Sequence, residues 1–177
     1  GAKLWHRQFA ATGPTFCHPD TCMAAPTPVA DDTGVYTLFA CGDLAAFDHD
    51  GTLRWYRSFV GDYPTVSNQV GGASSPVLVK DRLIVPMDNA GESFVAAIDT
   101  KTGKNVWKTA RPRDVNWVTP AVRTAGGKTE ILLPTMKALV AYDADTGAKL
   151  RSAPIAAAGI PSPTVAGDLL LFPGRGL

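Results

Sequence analysis

Three cysteines and a histidine are the most reactive groups in this chain of 177 residues. Phe16-Cys17-His18-Pro19-Asp20-Thr21-Cys22 places two thiols and an imidazole in one short segment, and Cys41, ahead of Gly42-Asp43, is the third thiol. Thiolate and imidazole groups are ligands for zinc and copper, so Cys17, His18, Cys22 and Cys41 form a candidate metal set and, by extension, a metal-binding redox module. The spacing of Cys17 and Cys22 is wide for zinc. The same residues also read as a Cys17–Cys22 disulfide with one thiol left over, or as inert thiols with Cys41 a small buried apolar residue.

A second group combines amides, carboxylates and aromatics: Tyr63, Asn68, Asp88, Asn89, Glu92, Asn116 and Trp117. Such groups suit a sugar, a peptide or a calcium-bound ligand. The competing reading is structural, with Asn and Asp closing turns and the aromatics covering strand edges. No Ser/His/Asp arrangement suggests a nucleophile, and no catalytic residue is assigned. His6 and His49 read as surface residues of an outer strand and a turn. No glycine-rich phosphate loop precedes a helix.

The bulk properties narrow the field. Hydrophobic residues make up 45% and charged residues 19%, as in a folded domain. A net charge of +1 without a basic run argues against nucleic acid or an anionic membrane surface as partner. No apolar stretch approaches the roughly 20 residues of a membrane span. The elements that position the candidate groups must therefore come from the chain's own periodicity, and its 17 glycines and 14 prolines are spread evenly, as in many short strands joined by turns.

Two markers recur in register. Leu44-Ala45-Ala46-Phe47-Asp48, Gly51 and Trp55 return as Val95-Ala96-Ala97-Ile98-Asp99, Gly103 and Trp107, and again as Leu139-Val140-Ala141-Tyr142-Asp143, Gly147 and Arg151. Thr27-Pro28, Ser75-Pro76, Thr119-Pro120 and Ser162-Pro163 keep step, each leading into an apolar run. A period of about 40–50 residues with strand-like content indicates propeller blades. In the second unit the strands are expected at 76–79, 83–87, 94–98 and 105–109, with Gly103 in the left-handed conformation. No window has sustained helical periodicity. Trp5, Trp55 and Trp107 are expected to pack blade on blade with each indole N–H on a partner. Asp48, Asp99 and Asp143 are expected to hold turns through side-chain to backbone hydrogen bonds, and Arg151 makes its junction different.

Ala97-Ile98-Asp99-Thr100-Lys101-Thr102-Gly103 through Trp107 resembles the tryptophan-docking repeat of the pyrroloquinoline quinone (PQQ) family, and the resemblance spans essentially the whole chain. It implies an all-β propeller of four-stranded antiparallel blades and an extracytoplasmic location, periplasmic or secreted. It leaves function open, because the same blade serves quinoprotein alcohol dehydrogenases and a non-enzymatic outer-membrane assembly lipoprotein. The dehydrogenases of the family hold PQQ beside calcium, with adjacent cysteines in a ring disulfide and a catalytic aspartate. This chain has no adjacent cysteine pair, and none of its aspartates matches the catalytic one.

Blades are expected at about 27–58, 75–110 and 119–154, with a fourth split between 162–177 and 1–9, because Gly1-Ala2-Lys3-Leu4-Trp5 matches Gly147-Ala148-Lys149-Leu150-Arg151. Family propellers have about eight blades. Part of a larger ring, or a homodimer of half-rings, is therefore favoured over a closed small ring. The connections at about 10–26, 60–73, 111–118 and 154–161 are long and share one face with the loops between second and third strands, which marks that face as the working one. The leading expectation is a non-enzymatic scaffold that binds a protein or polymer ligand there. A fragment of a PQQ-dependent oxidoreductase and a metal-binding redox module are the alternatives. No cofactor follows from the residues themselves. PQQ is implied only by the resemblance, and zinc, copper or calcium only by the donor types.

Overall fold

A computed structural model describes residues 1–66, 71–155 and 159–172. Three four-stranded antiparallel sheets follow one another in sequence order. The first holds β1 (Val29–Asp31), β2 (Gly34–Leu38), β3 (Asp43–Phe47) and β4 (Leu53–Ser58). The second holds β5 (Val77–Val79), β6 (Arg82–Met87), β7 (Phe94–Asp99) and β8 (Asn105–Ala110). The third holds β9 (Ala121–Ala125), β10 (Lys128–Pro134), β11 (Leu139–Asp143) and β12 (Lys149–Ala153). A two-stranded hairpin, β13 (Thr164–Ala166) and β14 (Leu169–Leu171), comes last. The innermost strands stand side by side as β1, β5, β9 and β13, so the sheets form blades in an arc.

The central strands β3 and β7 are buried along almost their whole length, which is why they read as continuous apolar runs rather than alternating ones. One core layer fills the gap between the first and second blades around Tyr36, Leu44, Phe59, Leu83 and Phe94. A second fills the next gap around Ile84, Val95, Ile131, Leu133 and Tyr142. Each blade carries one register shift at the same place, after Ala46, Ala97 and Ala141, and such a bulge sharpens the local twist.

Two hydrogen-bonded belts tie the blades. On the inner belt, the backbone N–H of Thr27 donates to Ser75 Oγ (2.9 Å), that of Ser75 to Thr119 Oγ1 (3.0 Å), and that of Thr119 to Ser162 Oγ (3.0 Å). The Ser/Thr-Pro marker is thus a collar: its proline sits just ahead of each inner strand, and its hydroxyl receives the preceding blade. On the outer belt, the indole N–H groups of Trp5, Trp55 and Trp107 donate to the carbonyls of His49 (2.8 Å), Thr100 (2.9 Å) and Ala144 (3.1 Å) in the next blade's turn. The residue two places on adds a second bond to that turn's glycine carbonyl: Arg7 to Gly51 (2.6 Å), Arg57 to Gly103 (3.0 Å) and Thr109 to Gly147 (2.7 Å).

Several expectations require adjustment. Residues 1–9 form no strand, although Trp5 docks onto Gly51 as the outer strand of a preceding blade would. The proposed split blade is present only as β13–β14, and its residues 173–177 lie outside the described residues. Asp99 and Asp143 hold their turns by accepting from the backbone N–H of Thr102 and Thr146 (2.8 Å each). Asp48 instead pairs with Arg54 (3.6 Å), because its turn is one residue shorter and has no threonine ahead of the glycine. A single helical turn, α1 (Phe59–Asp62), follows β4, with Ser58 Oγ accepting from Gly61 N–H (3.0 Å). Arg151, at the position matching the tryptophans, forms a two-pronged ion pair with Glu130 on β10.

Gly103 has φ +69°, and an added Cβ would lie 2.8 Å from the Trp55 ring, whereas Gly126 has φ +56° with open space around it. Gly103→Ala is expected to cost about 1–2 kcal/mol for the backbone and about 1–3 kcal/mol more for the displaced indole. Gly126→Ala is expected to show the backbone cost alone. Urea unfolding of the two variants checks the difference, and equal losses would remove the docking account.

Candidate functional site

The second-to-third-strand loops and the connections between blades gather on one face, as the loop lengths suggest. A cleft of about 170 Å³ opens there between the first two blades. Its walls are mostly apolar, with Phe16, Leu38, Val60, Val66 and Met87 prominent, while Cys41, Asp88, Asn89 and Asn116 lie at its base. The chain reaches this place because 39–42 and 88–93 are the β2–β3 and β6–β7 loops, while 59–66, 71–76 and 111–120 belong to the returns from outer to inner strands.

Below the cleft lies the most polar part of the interior. Asp88 and Arg111 are both buried and meet through two bonds, Nε to Oδ1 at 2.6 Å and Nη2 to Oδ2 at 2.8 Å. Asn116 Nδ2 donates to Asp88 Oδ2 (3.1 Å) and Ser93 Oγ to Asp88 Oδ1 (3.1 Å). Arg111 also donates to the Tyr142 hydroxyl (2.8 Å) and to the Pro134 carbonyl (2.7 Å) of the third blade. Burial works against the Arg111 charge, but the Asp88 carboxylate and the Tyr142 hydroxyl outweigh it and hold the guanidinium pKa above its usual value. Through these bonds, and through Asn116 Nδ2 to the Pro134 carbonyl (2.8 Å), Asp88 and Asn116 tie the second blade to the third. Arg111 and Tyr142 were not singled out from the sequence, because nothing local distinguishes an arginine at a strand end from a solvated one.

A matching polar knot lies in the first blade. Buried Asp43 accepts from the backbone N–H (2.9 Å) and the hydroxyl of Thr12, and from Cys41 Sγ (3.2 Å). Burial opposes the Asp43 charge, yet the Thr12 bonds hold its carboxyl below the usual range. Burial and the same carboxylate push the Tyr56 hydroxyl up to about 12. Burial likewise pushes the Cys41 thiol up, as befits a packed residue rather than a reactive thiolate.

The other expected binding residues separate. Asn89 folds its own loop, donating to the Met87 (2.7 Å) and Glu92 (2.9 Å) carbonyls. Tyr63 and Glu92 leave the mouth and latch α1 onto β8: Asn105 donates to the Tyr63 hydroxyl (2.7 Å), Lys108 lies 4.0 Å over the Tyr63 ring, and Lys108 also pairs with Glu92. Trp117 spans the connections, donating from Nε1 to the Gly71 carbonyl (3.1 Å). Asn68 lies outside the described residues.

The four expected metal ligands are not assembled. Cys17 is half-buried with Sγ 3.9 Å from the Thr21 carbonyl, Cys22 and His18 are exposed, and Cys41 is buried against Asp43. Among the described residues no group of three or more His, Cys, Asp or Glu side chains is placed to hold a metal ion. All three cysteines are free thiols. The cleft's base does not fit PQQ with calcium either. Both Asp88 oxygens are committed to Arg111, Asn116 and Ser93, and about 170 Å³ is below the roughly 300–1,000 Å³ of pockets that enclose such ligands.

Removing Arg111 alone leaves Asp88 buried and unpaired. Arg111→Met is expected to lower stability by about 3–5 kcal/mol, and the double change Arg111→Met with Asp88→Leu to recover much of that loss. Guanidinium unfolding of both variants checks this; a double variant no better than the single one would mean that the pair is not a closed unit.

Comparison with known proteins agrees with this architecture. The family profile described as outer membrane protein assembly factor BamB matches residues 1–170. The structure of BamB from Moraxella catarrhalis superposes with a TM-score of 0.59 at 20% identity, covering 82% of this chain and 42% of that one. A quinohemoprotein alcohol dehydrogenase from Comamonas testosteroni superposes with a TM-score of 0.58 at 13% identity, covering 79% and 30%. The computationally designed Ika4 protein has a TM-score of 0.57 at 12% identity, with 93% and 94% covered. No curated protein matches. At these identities the structures share the fold alone, and the chain spans less than half of the two natural ones. The match over nearly the whole chain makes it a member of the BamB-like branch of the PQQ-type β-propeller repeat family.

Proposed function

We propose that the chain is a non-enzymatic propeller scaffold in outer-membrane protein assembly, working in the periplasm and holding a protein partner by its long-loop face. The observation that carries this is the cleft. Its rim is apolar and aromatic, its volume suits one side chain of a partner rather than a cofactor, and the polar groups at its base hold one another. An enzyme site presents groups free to exchange protons or bind a reacting atom, whereas the buried acids at and beside this cleft, Asp88 and Asp43, are held by Arg111, Asn116 and Ser93 and by Thr12 and Cys41. Phe16, which is 66% exposed at the rim, is the natural anchor.

The test is the affinity of the purified chain for a denaturant-diluted outer-membrane β-barrel precursor. Phe16→Glu is expected to weaken binding about tenfold or more, the loss of one aromatic anchor. Lys101→Glu, on the opposite short-turn face, is expected to leave it unchanged. Equal effects at both positions would sink the proposal, as would alcohol oxidation by the full-length protein after PQQ and calcium are added.

A second component of this reading concerns the far end of the arc. Leu150, Leu169 and Leu171 are exposed by 46%, 67% and 57%, an apolar set on the last blade and hairpin. We infer that a second copy covers this end. Light scattering is expected to give a dimer that Leu169→Glu with Leu171→Glu converts to monomer; a wild-type monomer would exclude it.

A further inference from the structure

The cysteine segment is unused by the scaffold reading, and its geometry is specific. Thr21 N–H donates to the His18 carbonyl (2.9 Å), which closes a turn over 18–21, and the Thr21 hydroxyl repeats the contact (3.2 Å). The His18 imidazole accepts from Asp20 N–H (3.2 Å) and fixes the turn from inside. Cys17 and Cys22 are the residues that flank this turn. A four-residue turn brings its end residues, here His18 and Thr21, to within about 7 Å Cα to Cα, and a disulfide between the residues beside them spans roughly 4.4–6.8 Å. The Cys17 thiol already leans across, 3.9 Å from the carbonyl of the residue before Cys22. Cys22 is exposed, so an incoming reagent reaches it. Cys41, by contrast, is buried and hydrogen-bonded to Asp43.

From this we propose that Cys17 and Cys22 form a reversible dithiol–disulfide pair that staples the segment carrying Phe16, with Cys41 left out. The oxidant is an external disulfide, whether a small molecule or a protein. Deprotonated Cys22 attacks one donor sulfur, forming a mixed disulfide and releasing the other donor sulfur as a thiolate. Deprotonated Cys17 then attacks the Cys22 sulfur, and the second donor thiolate leaves. Two electrons pass to the donor, and the two protons lost by the cysteines end on the donor thiols. The consequence falls on the cleft. Cys17 lies beside Gly71, next to Phe16 on the rim, and Met23, which follows Cys22, accepts from Ala40 N–H (2.8 Å), so the bond links the rim to the end of the segment held on the first blade's β2–β3 loop.

The experiment equilibrates the purified protein in glutathione buffers from reducing to oxidising, then denatures it and labels thiols with a maleimide for intact-mass and peptide analysis. The expected result is three labels under reducing conditions and one, on Cys41, under oxidising ones, with a peptide joining Cys17 to Cys22 and lighter by two hydrogen atoms. Cys22→Ser, at an exposed position, is expected to abolish the link while leaving the fold intact, and Cys41→Ala to leave the link unchanged. Amide exchange at Thr21 should slow on oxidation in the wild type only. Three labels throughout, glutathione adducts without the link, or a bond that includes Cys41 would each overturn the proposal. The readout is chemical and needs no partner, so it stands or fails apart from the scaffold reading.

Discussion

A blade edge must find its neighbour at a fixed height and angle, and in this chain one contact sets both. The indole of Trp55 lies flat against the backbone of Gly103, so close that a Cβ there would lie 2.8 Å from the ring. Trp5 on Gly51 and Trp107 on Gly147 repeat the contact at 2.6 Å and 2.5 Å. A glycine is required twice over at these positions, since φ is positive and the ring leaves no room for a side chain. The indole N–H and the side chain two residues on then anchor opposite ends of the same turn. A blade shifted by one residue would lose both bonds and drive the ring into the backbone. This outer contact works with the inner hydroxyl collar as a pair of rails, and the apolar layers between them are packed to fit.

With the rails in place, the positions of the described connections follow. Outer strands return to inner strands across one face, and that face receives 59–66, 71–76 and 111–120 together with the β6–β7 loop. The return segments cross where apolar packing gives way to polar backbone, and the buried Arg111–Asp88 pair marks the crossing. Such a pair contributes little net stability compared with apolar residues of the same shape, but it is intolerant of losing one partner. Its value is in specifying which loop meets which, because Arg111 bonds at once to the second blade through Asp88 and to the third through Tyr142 and Pro134. The cleft above it is shaped by this arrangement rather than by free reactive groups.

The fold was legible because its markers repeat. A tryptophan, a glycine and an aspartate that return in register can only be structural, and the second blade's strands fall within a residue or two of their expected places. The candidate site was less legible for the opposite reason. Asp88, Asn116, Tyr63 and Glu92 each occur once, so nothing in their order distinguishes a ligand from a brace. Tyr63 and Glu92 read as binding candidates, and their contacts with Lys108 and Asn105 on β8 are invisible in the local sequence. The partners of Asp43 lie 31 residues away at Thr12, in a segment with no repeat signature at all. The first blade's turn shows the limit within the repeat itself: one residue fewer moved Asp48 from the turn to Arg54.

The same logic accounts for the change at the third junction. Where the first three docking positions carry tryptophan, the fourth carries Arg151, and its guanidinium pairs with Glu130 on the same blade. Pairing with Arg151 holds the Glu130 carboxyl below its usual range, so the contact is a settled one within the sheet. Beyond it, β13 and β14 retain the inner collar through Ser162, with Leu170 turned onto the third blade and Leu169 and Leu171 exposed. The collar bond from Thr119 to Ser162 and the packing of Val165, Leu170 and Phe172 on Ala121, Leu132, Leu139 and Ala141 together seat this hairpin on the third blade, so the inner contact carries the repeat here without an indole beside it.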